Sequence, residues 1–205
     1  MLVVGAGGHA RVCIEALQDS GHLVVGCVSA DGTGGPGLPC PVVGRDDDLV
    51  AVAAELAVHH VFVAIGDNRA REAVTARAQA AGLTPVNAIS RFAMVSTGAR
   101  LGVGVAVLAG AVVNTSALVG DGAILNTRSS VDHDVSVGMF AHVAVGASVA
   151  GGVHIGARVL LGVGANVVPL VQIGADAIVG AGATVVRAVA ASTTVVGVPA
   201  VALQR

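Results

Sequence analysis

From Ile89 to Val185 a large aliphatic residue returns every six positions without a miss, seventeen times in succession, and four positions after each stands a small or β-branched residue such as Ala93, Ala99, Val105 or Ser129. An amphipathic helix repeats at 3.6 residues and a strand at 2, so a sustained period of six fits neither. A solenoid fits it: each hexad supplies one short strand and one turn, the large aliphatic fills the interior and the small residue takes the tight corner. The frame contains no insertion, so no long loop leaves the solenoid. The period also disarms an apparent membrane span. Residues 135–157 carry no charge over 23 positions, formally enough to cross a bilayer, but their glycines and histidines stand in the frame of the repeat.

Hexads of this kind resemble the repeat of the left-handed parallel β-helix. That resemblance implies three hexads per coil and crossovers of the opposite hand to the usual one. With neighbouring strands ~4.8 Å apart, the 102 residues from 89 to 190 make a prism roughly 27 Å long.

Residues 1–88 obey a different pattern. A strand over Leu2–Val4, the turn Gly5-Ala6-Gly7-Gly8-His9-Ala10, a helix to about Ser20 and a strand over Leu23–Val28 make a βαβ unit. A helix near Asp46–Ala57, a strand near Val61–Ile65, a helix near Asn68–Ala81 and a short strand around Val86 continue the alternation of a Rossmann-like α/β domain. The Gly/Pro-rich Asp31–Pro41 is a loop. After Val189 the period fails, so the expected organisation is an α/β domain over 1–88, a β-helix over 89–190 and a tail over 191–205 containing Val196-Gly197-Val198-Pro199-Ala200.

Composition narrows the chemistry. Hydrophobic residues make up 54% and charged residues 12%, with a formal net charge of −2, which excludes disorder and leaves no basic nucleic-acid footprint. Three Phe with no Trp or Tyr remove the stacking platforms of single-strand binders. All 11 cations are Arg, so lysine Schiff-base and lysine-nucleophile mechanisms are unavailable. Cys13, Cys27 and Cys40 form no C-x-x-C and suit a reducing compartment, and the N-terminus carries neither a basic start nor a small-residue cleavage site. The expectation is a cytoplasmic protein with neither nucleic acid nor membrane as partner.

The glycine turn leaves backbone N–H groups at a helix N-terminus, where a phosphate is favoured; such turns also serve simply to pack helix on strand. Gly5-x-Gly7-x-x-Ala10 approximates a dinucleotide fingerprint, but no acidic residue ends the second strand and Asp31 lies beyond it, so no redox role is read. In the solenoid Asn126, Asp132, His133, Asp134 and His142 crowd into two and a half hexads. His133 is third in its hexad, away from the interior position, and Asp134 beside it raises its basicity, as suits a general base. The alternative is a pair of histidines solvated on an outer face. Gly151, eighteen residues beyond His133, leaves an open shelf one coil away. His22, His59, His60 and His154 lack comparable polar company. The γ-class carbonic anhydrases, which share this β-helix, place two zinc ligands five residues apart; here the gaps are nine and twelve, so no metal is expected.

Gly5-Ala6-Gly7-Gly8-His9-Ala10-Arg11-Val12, Ala64-Ile65-Gly66-Asp67-Asn68-x-x-Arg71, Asn126-Thr127 with His133-Asp134 and His142, and Gly197-Val198-Pro199-Ala200 follow one another in this order along nearly the whole chain. The series resembles the bacterial hexapeptide acetyltransferases that comprise nucleotide-4-amino-sugar N-acetyltransferases and sialic-acid O-acetyltransferases. The resemblance implies a homotrimer with active sites between neighbouring β-helices, a nucleotide-linked sugar on the N-terminal domain and acetyl-CoA along the solenoid. It makes His133 the base and Asp134 its tuning acid, with Asn126 beside the acceptor. His142 and Gly151 would hold the thioester end of acetyl-CoA, with Val163 and Ala181 along the pantetheine path. Gly7, Gly8, His9 and Gly66 would contact the nucleotide sugar. Ser29-Ala30-Asp31 stands where many members carry an acidic pair against the nucleotide base. Arg187 stands where members carry a cation and would meet a CoA phosphate; Val201 replaces a usual Lys or Arg. The implied activity is acetyl-CoA-dependent N-acetylation of a nucleotide-linked 4-amino-4,6-dideoxy sugar. Sugar O-acetylation of the sialic-acid type and a non-catalytic trimeric nucleotide-sugar-binding scaffold are the alternatives.

Overall fold

The computed structural model describes residues 1–203; Gln204 and Arg205, the end of the expected tail, lie outside the described residues. The N-terminal part alternates β1 (Leu2–Val4), α1 (Gly8–Asp19), β2 (Gly26–Ser29), β3 (Val42–Arg45), α2 (Leu49–Glu55), β4 (His60–Val63), α3 (Asn68–Ala80) and β5 (Thr84–Pro85). The strands form one parallel sheet in the order β3-β2-β1-β4-β5. Their Val and Leu side chains read as unbroken apolar runs because both faces are covered. Two elements depart from expectation. β2 begins at Gly26 rather than Leu23, whose side chain is 78% exposed. β3 was not expected: two aliphatics before Gly44-Arg45 are too short a run to display a period.

The helix α1 buries Ala10, Cys13, Ile14 and Leu17, a single stripe at three- and four-residue spacing. That stripe packs between Val3 and Phe62 of the sheet and Ala106, Leu108 and Ile124 of the solenoid in one apolar cluster. The N-terminal domain is therefore seated directly on one face of the β-helix.

Two-residue strands recur every six residues from β6 (Ala88–Ile89) to β22 (Thr184–Val185). Three sheets result, and one coil shows them all: β12 (Ile124–Leu125) on the first face, β13 (Ser130–Val131) on the second, β14 (Ser136–Val137) on the third, then β15 (His142–Val143) on the first again. Ile124 pairs with His142, Ser130 with Ser148 and Ser136 with His154, each eighteen residues on, as three hexads per coil require. The large aliphatic of each hexad points inward, and the corner positions Ala111, Ala117, Ala123 and Ala141 are 0% exposed because nothing larger fits where the chain turns. Beyond Val189 the frame loses two residues: β23 (Thr194–Val196) pairs with β21 (Ile178–Val179) at a step of sixteen, Ile178 to Thr194. The tail expected after the repeat thus extends the first face, and β24 (Val201–Ala202) folds back antiparallel on β23. Among the described residues no helix is long and apolar enough to cross a membrane.

Candidate functional site

On the first face, β15 presents the His142 ring toward the N-terminal domain. Thr127 N–H donates to Asn126 Oδ1 (2.8 Å), which turns the Asn126 amide so that Nδ2 donates to His142 Nε2 (3.0 Å). The ring proton then resides on Nδ1. His9, from the first turn of α1, stands 6.4 Å away between ring centroids, and Cys13 Sγ lies 3.4 Å from its Nε2. Burial first, then the Arg71 guanidinium, hold both His9 and His142 down to about 4; His9 lowers His142 further, while a hydrogen bond to the Gly66 backbone opposes the shift. Both rings are neutral at physiological pH. Burial also pushes the Cys13 thiol up to about 12, so it is not a thiolate nucleophile. Beside this pair a cleft of about 190 Å³ opens between Gly66, Asp67, Asn68 and Arg69 on one side and Arg158, Leu160, Asp176 and Ile178 on the other.

Gly7 caps α1 and Gly8 opens it; a Cβ at Gly7 or Gly66 would meet nothing within 4 Å, so both backbones are accessible to a ligand. Ser29 is different. Its hydroxyl is committed to the Thr33 carbonyl (2.7 Å) and Asp31 Oδ1 (3.2 Å), and Asp31 also accepts from Thr33 N–H (2.9 Å). Ser29 and Asp31 thus tie their own loop together, leaving Ala30 exposed beside them.

His133 and Asp134 occupy the corner between the second and third faces, following β13. The His133 Nδ1 sits 2.8 Å from Asp134 Oδ2, with the imidazole 58% exposed. Asp132 Oδ1 accepts from the His133 N–H (2.7 Å) and from Asn114 Nδ2 (2.8 Å). The Asp134 hydrogen bond, followed by the Asp132 charge, raises the His133 pKa above its ordinary value. A Cβ at Gly151 would stand 2.6 Å from His133 Cε1 and Nε2: the ring lies directly over the glycine and buries it, so the open shelf expected there is filled by the histidine itself. Among the described residues the Gly151 N–H has no hydrogen-bond partner. In the second-face register, Asn166 pairs with Thr184 at the same eighteen-residue step. His133, Gly151, Pro169 and Arg187 are therefore one column along this corner, with Arg187 about 14 Å from His133. Arg187 is exposed and has no ion-pair partner among the described residues. On the adjoining second face a groove of about 440 Å³ runs over Asn114, Ser130, Asp132, Ser148 and Asn166.

Val163 and Ala181 lie on the corner between first and second faces, both exposed. At Gly164 and Gly182 beside them a Cβ would meet nothing within 4 Å, so this corner is bare. Sequence reading grouped Asn126, Asp132, His133, Asp134 and His142 in one cluster; the fold divides them. Nine residues is half a coil, so His142 and Asn126 face the N-terminal domain while His133 and Asp134 stand at the corner opposite that face. Asn114 is the residue the sequence reading missed, although its eighteen-residue spacing from Asp132 places the two on adjacent coils.

A family model described as the PglD N-terminal domain matches residues 1–78. Over almost the whole chain, the structure is similar to PerB from Caulobacter crescentus in complex with CoA and GDP-perosamine: 46% identity, a TM-score of 0.94, and coverage of 99% of this chain and 96% of that one. The chain belongs to the PglD-like family of nucleotide-sugar acetyltransferases. The acetyltransferase domain of PglB from Neisseria gonorrhoeae, in complex with acetyl coenzyme A, shares 35% identity at a TM-score of 0.91 and 98% coverage of both chains. WeeI from Acinetobacter baumannii shares 26% at 0.85, again with 98% of both chains covered. No match is found among curated protein sequences. Family membership makes the chain an acyl-CoA-dependent acetyltransferase, and the α/β domain followed by a left-handed β-helix, expected from the glycine turn and the hexads, is the architecture it shares with these relatives.

Proposed function

We propose that the chain transfers the acetyl group of acetyl-CoA to the 4-amino group of a nucleotide-linked 4-amino-4,6-dideoxy sugar, with a GDP-linked sugar as the first candidate. The observation that carries the reading is the corner where His133, held at Nδ1 by Asp134, lies over Gly151, whose N–H has no partner among the described residues. The neutral amine attacks the thioester carbonyl, and a C–N bond forms as the carbonyl oxygen takes up negative charge. The Gly151 N–H is a donor for that oxyanion, a contribution worth about 2.7–4 kcal/mol per donor in other enzymes. The amine proton goes to His133 Nε2, the C–S bond breaks and CoA leaves, so no acyl-enzyme forms. His142, neutral and with Nε2 already accepting from Asn126, acts as a shaped wall for the thioester end rather than as a second base.

The same reading makes the enzyme a homotrimer. The His133 corner of one copy meets the His142 face of the next, bringing together what one chain holds apart, and pantetheine runs along the bare corner at Val163 and Ala181 toward the Arg187 charge. The nucleotide sugar lies over Gly7, Gly8, His9 and Gly66. Acetyl-CoA, nucleotide sugars and three free cysteines suit the cytoplasm. GDP-perosamine bound to the 46%-identical PerB favours guanosine as the base, and the self-tied Ser29-Ala30-Asp31 turn is the segment on which base choice depends.

The test is CoA release, followed with a thiol reagent, from acetyl-CoA and a panel of GDP-, UDP- and dTDP-linked 4-amino-4,6-dideoxy sugars with free sialic acid. Turnover with the GDP sugar supports the reading. Activity on sialic acid alone would replace it with O-acetylation, and nucleotide-sugar binding without CoA release would replace it with the scaffold.

A further inference from the structure

Arg71 is the one charged side chain fully buried among the described residues, at 1% exposure, and it has no carboxylate partner. All five of its N–H groups go to neutral oxygens. Nε donates to the Gly122 carbonyl (2.7 Å), one terminal nitrogen to Ile65 (2.9 Å) and Gly66 (3.2 Å), and the other to Asn68 Oδ1 (2.8 Å) and Phe140 (2.7 Å). Asp67, whose charge it feels, is occupied capping α3 through the Ala70 N–H (2.8 Å). A buried cation among dipoles alone is expensive, and an apolar side chain would glue two elements together at lower cost. The arrangement is therefore built for placement. Gly122 and Phe140 lie on successive coils, Ile65 and Gly66 in the loop entering α3, and a planar fork with five fixed donors sets one against the other in height and angle.

The Gly66 backbone is where this reaches the site. It accepts from Arg71, and it lies beside the His142 ring, where its backbone opposes the lowering of the ring's pKa while Asn126 holds the ring's Nε2. We propose that Arg71 is a positioning residue for acetyl transfer: its fork locks Ile65-Gly66 against the Gly122 and Phe140 corners and thereby fixes where a sugar lying on Gly66 presents its amine to the His142 face. This rests on the acetyl-transfer reading above. The electrostatics agree with it. The groups facing His142 are His9 from α1, Arg71 from α3 and Asn126 from the preceding coil. After burial, the Arg71 charge is the largest contribution that keeps the ring neutral.

Arg71→Lys keeps the charge and loses the fork; Arg71→Met loses both. Steady-state kinetics on each variant should show a KM for the nucleotide sugar raised about tenfold or more, with the acetyl-CoA KM within about twofold of wild type. An NMR titration of the His142 ring should move upward from about 4 in Arg71→Met and stay low in Arg71→Lys. Variants that lose only thermal stability, with sugar KM and ring titration unchanged, would reduce Arg71 to a structural residue and overturn the proposal. If neither variant folds, Asn68→Ala, which takes one acceptor from the fork, decides: a sugar KM raised severalfold with the acetyl-CoA KM unchanged supports the proposal, and an unchanged sugar KM overturns it. Absence of CoA release from wild type with every sugar would sink the acetyl-transfer reading instead. Ring titration and calorimetric binding of the GDP sugar would still read the Arg71 arrangement.

Discussion

With Nδ1 engaged by Asp134, the His133 imidazole has one nitrogen left to take a proton, and that nitrogen lies over Gly151. His133→Ala should lower kcat by about 10² to 10⁴ while the assembly persists by size-exclusion chromatography; unchanged turnover would remove His133 from the mechanism. The pH dependence has a definite sign. His133 works unprotonated and its pKa lies above 6.5, so kcat/KM is lost as pH falls through that raised value. Asp134→Asn removes the largest cause of the elevation. Its acid limb should therefore move to lower pH, with slower turnover on the plateau because the base is weaker; a limb that stays in place would mean that another group titrates. Asp134 itself takes a left-handed backbone, φ 59°, so the turn aims its carboxylate back at the ring at some conformational cost.

A single hexad is two strand residues, the second of them the inward aliphatic, and a corner, and that economy made the solenoid legible: every sixth position must fill the interior, so the period is complete in the sequence. It also shows where the pattern is imperfect. Ser129 fills a corner slot held elsewhere by Ala or Val, is 1% exposed, and its Oγ has no hydrogen-bond partner among the described residues. Ser129→Ala should raise stability by about 1 kcal/mol, seen as a higher urea midpoint at unchanged m; a loss would point to a partner water. The less legible elements lack a repeating signal. Val42-Val43 carries no periodicity that marks β3, and Arg71 stood in a motif whose spacing says nothing of the four backbone carbonyls that two coils and a loop bring to it. The chemistry-bearing residues were visible as residue types. Their grouping was not, because distance along the chain is a poor guide when half a turn carries His142 to the far side from His133.

In the proposed assembly each copy brings His133 on one flank of its β-helix and His142 on the other, each completed by a neighbour, and this has a direct genetic consequence. His133→Ala and His142→Ala subunits should each be impaired alone, yet co-assembled at equal dose they should recover activity at roughly a quarter of the sites, where an intact His133 meets an intact His142. Mixed assemblies no more active than either parent would mean that each chain carries its own complete site. The strict register of the coils adds a constraint on how such a chain can change length. Removing six residues within the solenoid would turn everything downstream through a third of a revolution, carrying the outward column that contains Ile124 and His142 onto a neighbouring flank. Removing eighteen would return every side chain to its own flank, about 4.8 Å lower. Between β6 and β22 length is thus counted in whole revolutions, and only the last coil, closed by its sixteen-residue step, escapes that rule.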